Sequence, residues 1–244
     1  VTDEFRAVGG ALAVERGAAT RWRAWVERAA ESAVTVRATP ASGAFREAFP
    51  AVRASVTRFG VEAAAHRLQL PAGLHGAVTA RATLAVPDAA IGPRSYARIA
   101  LDADLERETA FGTLATRTIA ATLFGVAAPA QDLAVFGGPV SGPGYDTHAL
   151  RGTAGLSQRI EWQARIGSFP LPLGRFGTTR VPVIAAPFVE GVLMARAATP
   201  AYRSIGLGII TLHGAIRLDV ARGVDAGGAW MIRLDAVRGY WPIL

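Results

Sequence analysis

Apolar and polar residues alternate along most of the chain, and a period of two is typical of β-strands that separate two environments. The clearest example is a set of apolar residues, Ile160, Trp162, Ala164 and Ile166, that alternates with Arg159, Glu161, Gln163 and Arg165. The same period recurs in residues 78–84, 98–106, 216–222 and 229–236. The pattern predicts an all-β, antiparallel fold of about twelve strands, several of them about ten residues or longer, which is enough to cross a membrane.

Two stretches depart from plain alternation. Residues 22–33 are rich in Ala and Glu, which would also suit a helix, but Trp22, Ala24 and Val26 share one face in period two. We therefore predict a strand from about residue 20. The alternation of the next strand breaks near Gly60, where we predict a β-bulge.

The overall composition indicates which environment surrounds these strands. Hydrophobic residues make up 51% of the chain and charged residues 18%, with a mean hydropathy of +0.28. No apolar run approaches the ~20 residues of a membrane-spanning helix. An antiparallel transmembrane β-barrel accounts for both facts, because lipid-facing apolar residues alternate with polar residues of the lumen.

A soluble β-sandwich, with the apolar faces as its core, would produce the same alternation. Strand length and hydropathy favour the barrel. In the barrel interpretation one set of residues faces lipid, namely Ile160, Trp162, Ala164 and Ile166. The opposite set, Arg159, Glu161 and Arg165, faces the interior.

The charge of the chain does not indicate a nucleic-acid partner. The net charge is +7 and the isoelectric point about 11.0, and all 26 basic residues are arginine. These arginines are spread along the strands, whereas a nucleic-acid footprint is a clustered patch. The chain has no cysteine, so it has no disulfide framework. The partner we expect is the lipid bilayer.

No pattern in the sequence indicates catalysis, so we expect a protein that is not an enzyme, with no cofactor and no metal. The four histidines, His66, His75, His148 and His213, lack the spacing of metal ligands. No G-x-S-x-G nucleophile motif is present. Asp102, Asp104 and Glu106 share a strand face with Arg98, and we interpret them as a charge ladder of the lumen.

The longest stretch that cannot be a strand runs from Phe136 to Gly152, FGGPVSGPGYDTHALRG. Its glycines open backbone angles that other residues avoid, and its prolines remove hydrogen-bond donors. Long loops in compact folds are usually functional or disordered. Two interpretations stay open: a flexible surface loop, or a segment folded into the barrel interior, which is the one we expect for residues 137–151.

Several motifs follow one another in residues 134–244. The loop contains GGPVSGPGY with Gly144 and Tyr145, a strand runs into PLPLG, and APFVEGV contains Phe188, Glu190 and Gly191. The order of these motifs resembles the C-terminal part of the BamA/TamA superfamily of outer-membrane barrels (bacterial surface antigen type). In that family a long loop carrying V-R-G-[FY] folds into the barrel and meets an acidic strand motif.

The resemblance implies a bacterial outer-membrane protein that acts in protein assembly or secretion, with other outer-membrane or secreted proteins as partners. The functional loop and strand residues would be Gly144, Tyr145, Phe188, Glu190 and Gly191, together with Arg151. Pro143 occupies the place of the family's loop arginine, so the resemblance makes Arg151 the candidate to pair with Glu190.

The resemblance also bears on domain organisation. Residues 1–244 read as a single barrel domain that lacks the first strands and any periplasmic POTRA repeats of the family, so we expect an incomplete barrel. One alternative function is a membrane anchor or secretion pore for a missing N-terminal domain, such as an enzyme. The other is a soluble β-sandwich that serves as a binding module.

Overall fold

The computed structural model describes residues 5–17, 20–33, 54–88, 95–125, 128–172, 174–195 and 201–236. Their strands are β1 Phe5–Arg16, β2 Thr20–Ala33, β3 Ala54–Leu70, β4 Leu74–Pro87, β5 Tyr96–Thr109, β6 Gly112–Phe124, β7 Ala134–Phe136, β8 Leu150–Gly152, β9 Ala154–Pro172, β10 Thr178–Met194, β11 Ala201–Thr211, β12 Ile216–Gly223 and β13 Trp230–Ala236. Short 3-10 turns occupy Pro71–Gly73, Ala130–Asp132, Gly174–Phe176 and Leu212–Gly214.

Eleven of these strands form one antiparallel sheet in the order β1-β2-β3-β4-β5-β6-β9-β10-β11-β12-β13, and β7 pairs with β8 in a separate hairpin. The prediction of an all-β antiparallel fold is confirmed. Each strand pairs with its neighbour in sequence, except that β6 pairs with β9 and leaves residues 125–153 outside the sheet. β2 is a strand in register with β1 and β3, as its alternation predicted.

The predicted bulge at Gly60 is wrong. Gly60 pairs in regular register with Trp25 of β2 and Thr83 of β4, and the ladder between β3 and β4 shifts instead between Ala65 and Leu68. A Cβ atom at Gly60 would lie 2.0 Å from the Trp25 ring. The glycine is therefore explained by an aromatic ring that covers it from the neighbouring strand, and not by a break in pairing.

The sheet has two chemically different faces. We call the face that carries Glu161 and Glu190 the inner face and the face that carries Ile160 the outer face. Glu161 and Glu190 are 4% and 3% exposed, whereas Ile160 is 48% exposed. From Arg159 onward, the predicted alternation of β9 therefore places charged residues on the inner face and apolar residues on the outer face. The alternation ends at Ile166, where the ladder to β10 shifts by one residue.

Beyond Arg117, strand β6 reverses the polarity of the two faces. Its register with β5 and β9 places Ile119, Ala121 and Leu123 on the inner face and Thr118 and Thr122 on the outer face. There the hydroxyl of Thr118 donates to Oε1 of Gln158 at 2.7 Å, so the polar outer side chains satisfy one another. The apolar inner side of β6 faces residues 128–152, described below.

The sheet is strongly curved. A polar cavity of about 240 Å³ on the inner face is lined by Asp104 of β5 and by Asp235 of β13. Five strands separate β5 from β13 in the sheet, so in a flat sheet they would lie about 29 Å apart. The inner face is therefore the concave face.

The strands β1 and β13 are the two ends of the sheet order, and no ladder joins them within the described residues. A closed barrel is therefore not seen in this part of the chain. Successive strands of the large sheet are separated by two to five residues at one end of the sheet and by six to 29 residues at the other.

Small residues on β11 make room for larger inner-face side chains. A Cβ atom at Gly206 would lie 2.2 Å from the Phe188 ring of β10, and one at Gly208 would lie 2.6 Å from Asp219 of β12. The two glycines let side chains from β10 and β12 lie over β11.

We predict that Gly206→Val destabilises the protein by about 1–3 kcal/mol, because the new side chain must displace the Phe188 ring. The free energy of unfolding, measured by denaturant titration, checks this. The control is Gly191→Ala, where an added Cβ meets no atom within 4 Å. Equal stability of the two variants would contradict the packing argument.

Candidate functional site

Residues 128–152, here called the inner loop, connect β6 to β9 over the inner face. The loop contains the β7–β8 hairpin and a tip closed by its own backbone hydrogen bonds. The N–H of Gly137 donates to the carbonyl of Ser141 at 2.8 Å, and the N–H of Gly138 donates to the carbonyl of Tyr145 at 2.9 Å. Gly144 has a φ of +87°, and a Cβ there would lie 2.1 Å from the backbone of Gly223, so this position requires glycine.

The hairpin of the inner loop packs on the wall of the sheet. Ala134, Phe136 and Leu150 are buried against Val192 and Met194 of β10. The apolar inner residues of β6, namely Ile119, Ala121 and Leu123, pack around this cluster. The reversed polarity of β6 thus follows from its contact with the loop, because an apolar hairpin requires an apolar wall.

The first part of the inner loop is bound to the N-terminal strands. Gln131 donates to Glu31 of β2 at 2.9 Å, and Arg58 of β3 donates to Asp132 at 3.1 Å. Arg58 also pairs with Glu31 at 2.5 Å, and the hydroxyl of Tyr96 of β5 donates to Asp132. These contacts attach the loop to β2, β3 and β5.

The tip of the inner loop is bound at the opposite side of the sheet through Tyr145. Its hydroxyl donates to the carbonyl of Arg203 at 2.9 Å and accepts from the N–H of Asp225 at 3.1 Å. Its ring meets the ring of Tyr202 edge to face, with centroids 5.3 Å apart. The carbonyl of Gly144 accepts from the N–H of Ala229 at 2.7 Å.

Asp225 links this contact to β11. Its carboxylate accepts from the backbone N–H of Arg203 and from the Arg203 guanidinium, both at 2.6 Å. Hydrogen bonds from Arg203 hold the pKa of the Asp225 carboxyl below its usual range. The carboxylate therefore stays ionised near neutral pH. The backbone N–H of Asp225 donates to the Tyr145 hydroxyl.

Glu190 lies on the inner wall beneath the tip of the loop. Ser157 of β9 donates to Oε1 of Glu190 at 2.7 Å, and the backbone amide of Gly142 contacts the same carboxylate. In the sheet register Glu190 is directly opposite Arg159 on β9 and Ser204 on β11. Glu190 thus joins the loop tip to two strands of the wall.

A group of charged side chains extends from Arg159 along the inner face. Arg159 pairs with Glu161 at 2.8 Å, and Arg217 pairs with Glu161 at 2.6 Å and with Asp219 at 2.8 Å. The guanidinium of Arg159 also lies 3.5 Å from the centroid of the Phe188 ring. Opposite charges are matched within this group, so it holds β9, β10 and β12 together.

Arg151 lies in β8, and its Nε donates to the carbonyl of His148 at 2.7 Å. Burial lowers the pKa of the Arg151 guanidinium. The register partner Arg159, and not Arg151, is the arginine nearest to Glu190 along the ladder. The pair of Arg151 with Glu190 stays a prediction, and the described hydrogen bond to the Glu190 carboxylate comes from Ser157.

The structure brings together four of the six predicted residues. Gly144 and Tyr145 belong to the loop tip, and Phe188 and Glu190 lie on the inner wall of β10. Gly191 follows Glu190 and so belongs to the outer face, where a Cβ would meet nothing within 4 Å. Arg151 lies in β8, at the base of the hairpin.

Sequence reasoning missed the residues that complete the site, namely Ser157, Arg203, Arg217, Asp219 and Asp225. The alternation of β9 and β12 places Ser157, Arg217 and Asp219 on a definite face. No local pattern indicates which residue of a distant strand each would contact.

The described residues contain no group of His, Cys, Asp and Glu side chains that could hold a metal ion. They also form no helix long and apolar enough to cross a membrane. No protein-family model matches the chain, and no curated protein matches it significantly.

We predict that Tyr145→Phe loosens the tip of the inner loop, because it leaves the Asp225 N–H without its acceptor and removes one of the two hydrogen bonds that the Arg203 carbonyl accepts. A lost buried hydrogen bond costs about 1–3 kcal/mol. Amide hydrogen exchange of Tyr145 and Ala229 should accelerate about five- to 150-fold, since about 1.4 kcal/mol corresponds to a factor of ten.

The matched control is Tyr202→Phe, which keeps the ring contact with Tyr145 and removes a hydroxyl that makes no hydrogen bond among the described residues. Exchange of the same amides should change little in this variant. Unchanged exchange in Tyr145→Phe itself would show that the hydroxyl does not hold the loop.

Proposed function

We propose that this chain is part of a bacterial outer-membrane β-barrel, with lipid against its outer face and the inner loop in its lumen. The observation that carries the proposal is the exposure of the outer face. Leu12, Ile232 and Leu234 are 76%, 74% and 73% exposed. Water disfavours an apolar surface of this extent, whereas lipid accommodates it.

The inner face supports the same proposal. Its buried charged groups, such as Glu62, Glu161 and Asp219, each have an arginine partner. A soluble β-sandwich would instead bury its apolar face against a second sheet. Within the described residues the only strands outside the large sheet are β7 and β8, and these pack on the inner face.

Exposed aromatic residues occur near both ends of the strands. Trp22 and Phe111 lie at the end with short connections and are 60% and 85% exposed. Phe124 and Trp230 lie at the end with long connections and are 54% and 68% exposed. Aromatic girdles at both interfaces, short turns on one side and longer loops on the other are typical of outer-membrane barrels. Tyr240 and Trp241, which the sequence also suggests for such a girdle, lie outside the described residues.

We further propose a role in protein assembly or secretion of the BamA/TamA type, with other outer-membrane or secreted proteins as clients. The support is the inner loop, which meets the wall at Glu190 through its glycine-rich tip. The loop also spans the concave face from Arg58 to Arg233, whose guanidinium donates to the carbonyl of Pro139 at 3.4 Å. A loop that fills the lumen favours assembly over a simple open pore.

The orientation of the two faces can be tested with neighbouring cysteines, because the chain contains no native cysteine. Ala82 belongs to the outer face of β4, and Thr83 belongs to the inner face. Each is changed to Cys, labelled with an environment-sensitive fluorophore and refolded into vesicles that contain brominated lipid. We expect quenching by the lipid at position 82 and not at position 83.

The adjacent position serves as the control for labelling and refolding. Quenching at 83 with none at 82 would mean that the faces are inverted. A protein that stays in solution without detergent or lipid, with neither position quenched, would contradict the membrane proposal and favour the soluble binding module.

The assembly role requires a separate measurement in the organism that carries the protein. We expect depletion of the full-length protein to lower the amount of folded barrel proteins in the outer membrane, measured by quantitative proteomics. Tyr145→Phe should give a partial defect and Tyr202→Phe none. Loss of a single exported protein, with the other barrel proteins unchanged, would instead indicate the secretion pore or anchor.

A further inference from the structure

The inner face of β2–β5 carries a group of arginines whose charge is only partly compensated, namely Arg21, Arg23, Arg81 and Arg98. Two of them share one carboxylate. Arg81 Nε donates to Oε2 of Glu62 at 2.9 Å, and Arg21 donates to Oε1 of the same residue at 3.4 Å. The third, Arg23, lies 3.2 Å from Glu15, which is half exposed. The four guanidinium groups thus face two carboxylates.

Arg98 is the uncompensated member of this group. It makes no hydrogen bond or ion pair within the described residues, and its Nε is buried without an acceptor. The Nε atoms of Arg21 and Arg23 are buried without a hydrogen-bond acceptor as well. Buried donors that lack a partner are unfavourable, so their presence together indicates a place for an anion.

The register of the sheet brings these arginines around one aromatic ring. Trp25, Gly60, Thr83 and Arg98 lie on one rung of β2–β5. The guanidinium carbons of Arg23 and Arg81 each lie 5.7 Å from the Trp25 ring. The Trp25 ring lies over Gly60, and Thr83 lies between Gly60 and Arg98 on the rung. Arginines and a hydroxyl thus extend along the inner face from this ring to β5.

The nearby carboxylates outside this group are already bound to other arginines. Glu27, Glu31 and Asp132 surround Arg58, at 3.6, 2.5 and 3.1 Å. Asp102 pairs with Arg117 at 3.3 Å. These carboxylates are therefore engaged elsewhere, and the arginines around Trp25 keep a positive excess.

We propose that the arginine group around Trp25 binds a phosphate group. The excess of two positive charges matches a phosphate dianion, and guanidinium forks bind phosphate oxygens through parallel hydrogen bonds. Arg21, Arg23 and Arg98 supply the Nε donors that lack acceptors, and Thr83 lies directly opposite Arg98 on the same face. The site uses only inner-face residues, so it does not depend on the proposed role in assembly.

The test is calorimetric titration of the folded protein with inorganic phosphate, in phosphate-free buffer and, where needed, a zwitterionic detergent. We expect binding with a Kd of about 1 mM or tighter. Arg98→Gln should weaken it about tenfold, as expected for one charge-assisted hydrogen bond, and Arg21→Gln should also weaken it. Arg107→Gln is the control, because Arg107 is exposed on the opposite face of the same strand.

The Arg98 variant should fold normally, since Arg98 has no described protein partner to lose, and circular dichroism checks this. Absence of phosphate binding to the folded wild type would overturn the proposal. Equal affinity in the wild type and both variants would overturn it as well. Micelles that contain phosphatidic acid identify the source of the phosphate. If these micelles compete with inorganic phosphate, the ligand is a lipid headgroup. If they do not compete, the ligand is a phosphate-bearing solute.

Discussion

The inner loop and the concave face of the sheet stabilise each other. The loop buries Phe136 and Leu150 against β10. In the same segment it contacts the Glu190 carboxylate through its tip and meets Arg58 and Arg233 at opposite sides of the sheet. Apolar burial supplies the non-directional part of this contact, and the hydrogen bonds at the tip fix its position. Because the loop contacts strands near both ends of the sheet order, a change in curvature would disturb several of these contacts together.

The inner face illustrates how charge is accommodated at low exposure. Glu161, 4% exposed, accepts from both Arg159 and Arg217, and Asp219, 2% exposed, accepts from Arg217. Removing one member would leave another charge buried without a partner, which is more costly than the pair is stabilising. This interdependence makes the wall under the loop rigid. Around Trp25, three arginine donors, the Nε atoms of Arg21, Arg23 and Arg98, have no acceptor.

Small residues determine how closely neighbouring side chains approach on the concave face. Gly60 lies beneath Trp25, and Gly206 lies beneath Phe188. In both places a ring from one strand covers a glycine of the next, which protects backbone that would otherwise lack side-chain cover. At Gly208 the space is taken by Asp219 and Arg217. The crowding of the concave side thus selects glycine where a flat sheet would accept a β-branched residue.

The sequence by itself determined the class of the fold and the two faces of most strands, because alternation of side chains is a local property of extended backbone. It thereby separated Ile160 from Glu161 and identified a loop after Phe136. The prediction that the stretch from Phe136 to Gly152 contains no strand is wrong at both ends, where β7 and β8 pair. The tertiary structure decided which residues meet. Tyr145 and Asp225 are 80 positions apart, and Glu190 is opposite Arg159 only through the register of β9 and β10. The tertiary structure also decided that β6 has an apolar inner face, because the hairpin of the inner loop packs on it. It decided that Gly60 is not the site of a bulge, because the Trp25 ring covers this glycine. Such contacts depend on curvature and long-range pairing, which no local pattern of residues encodes.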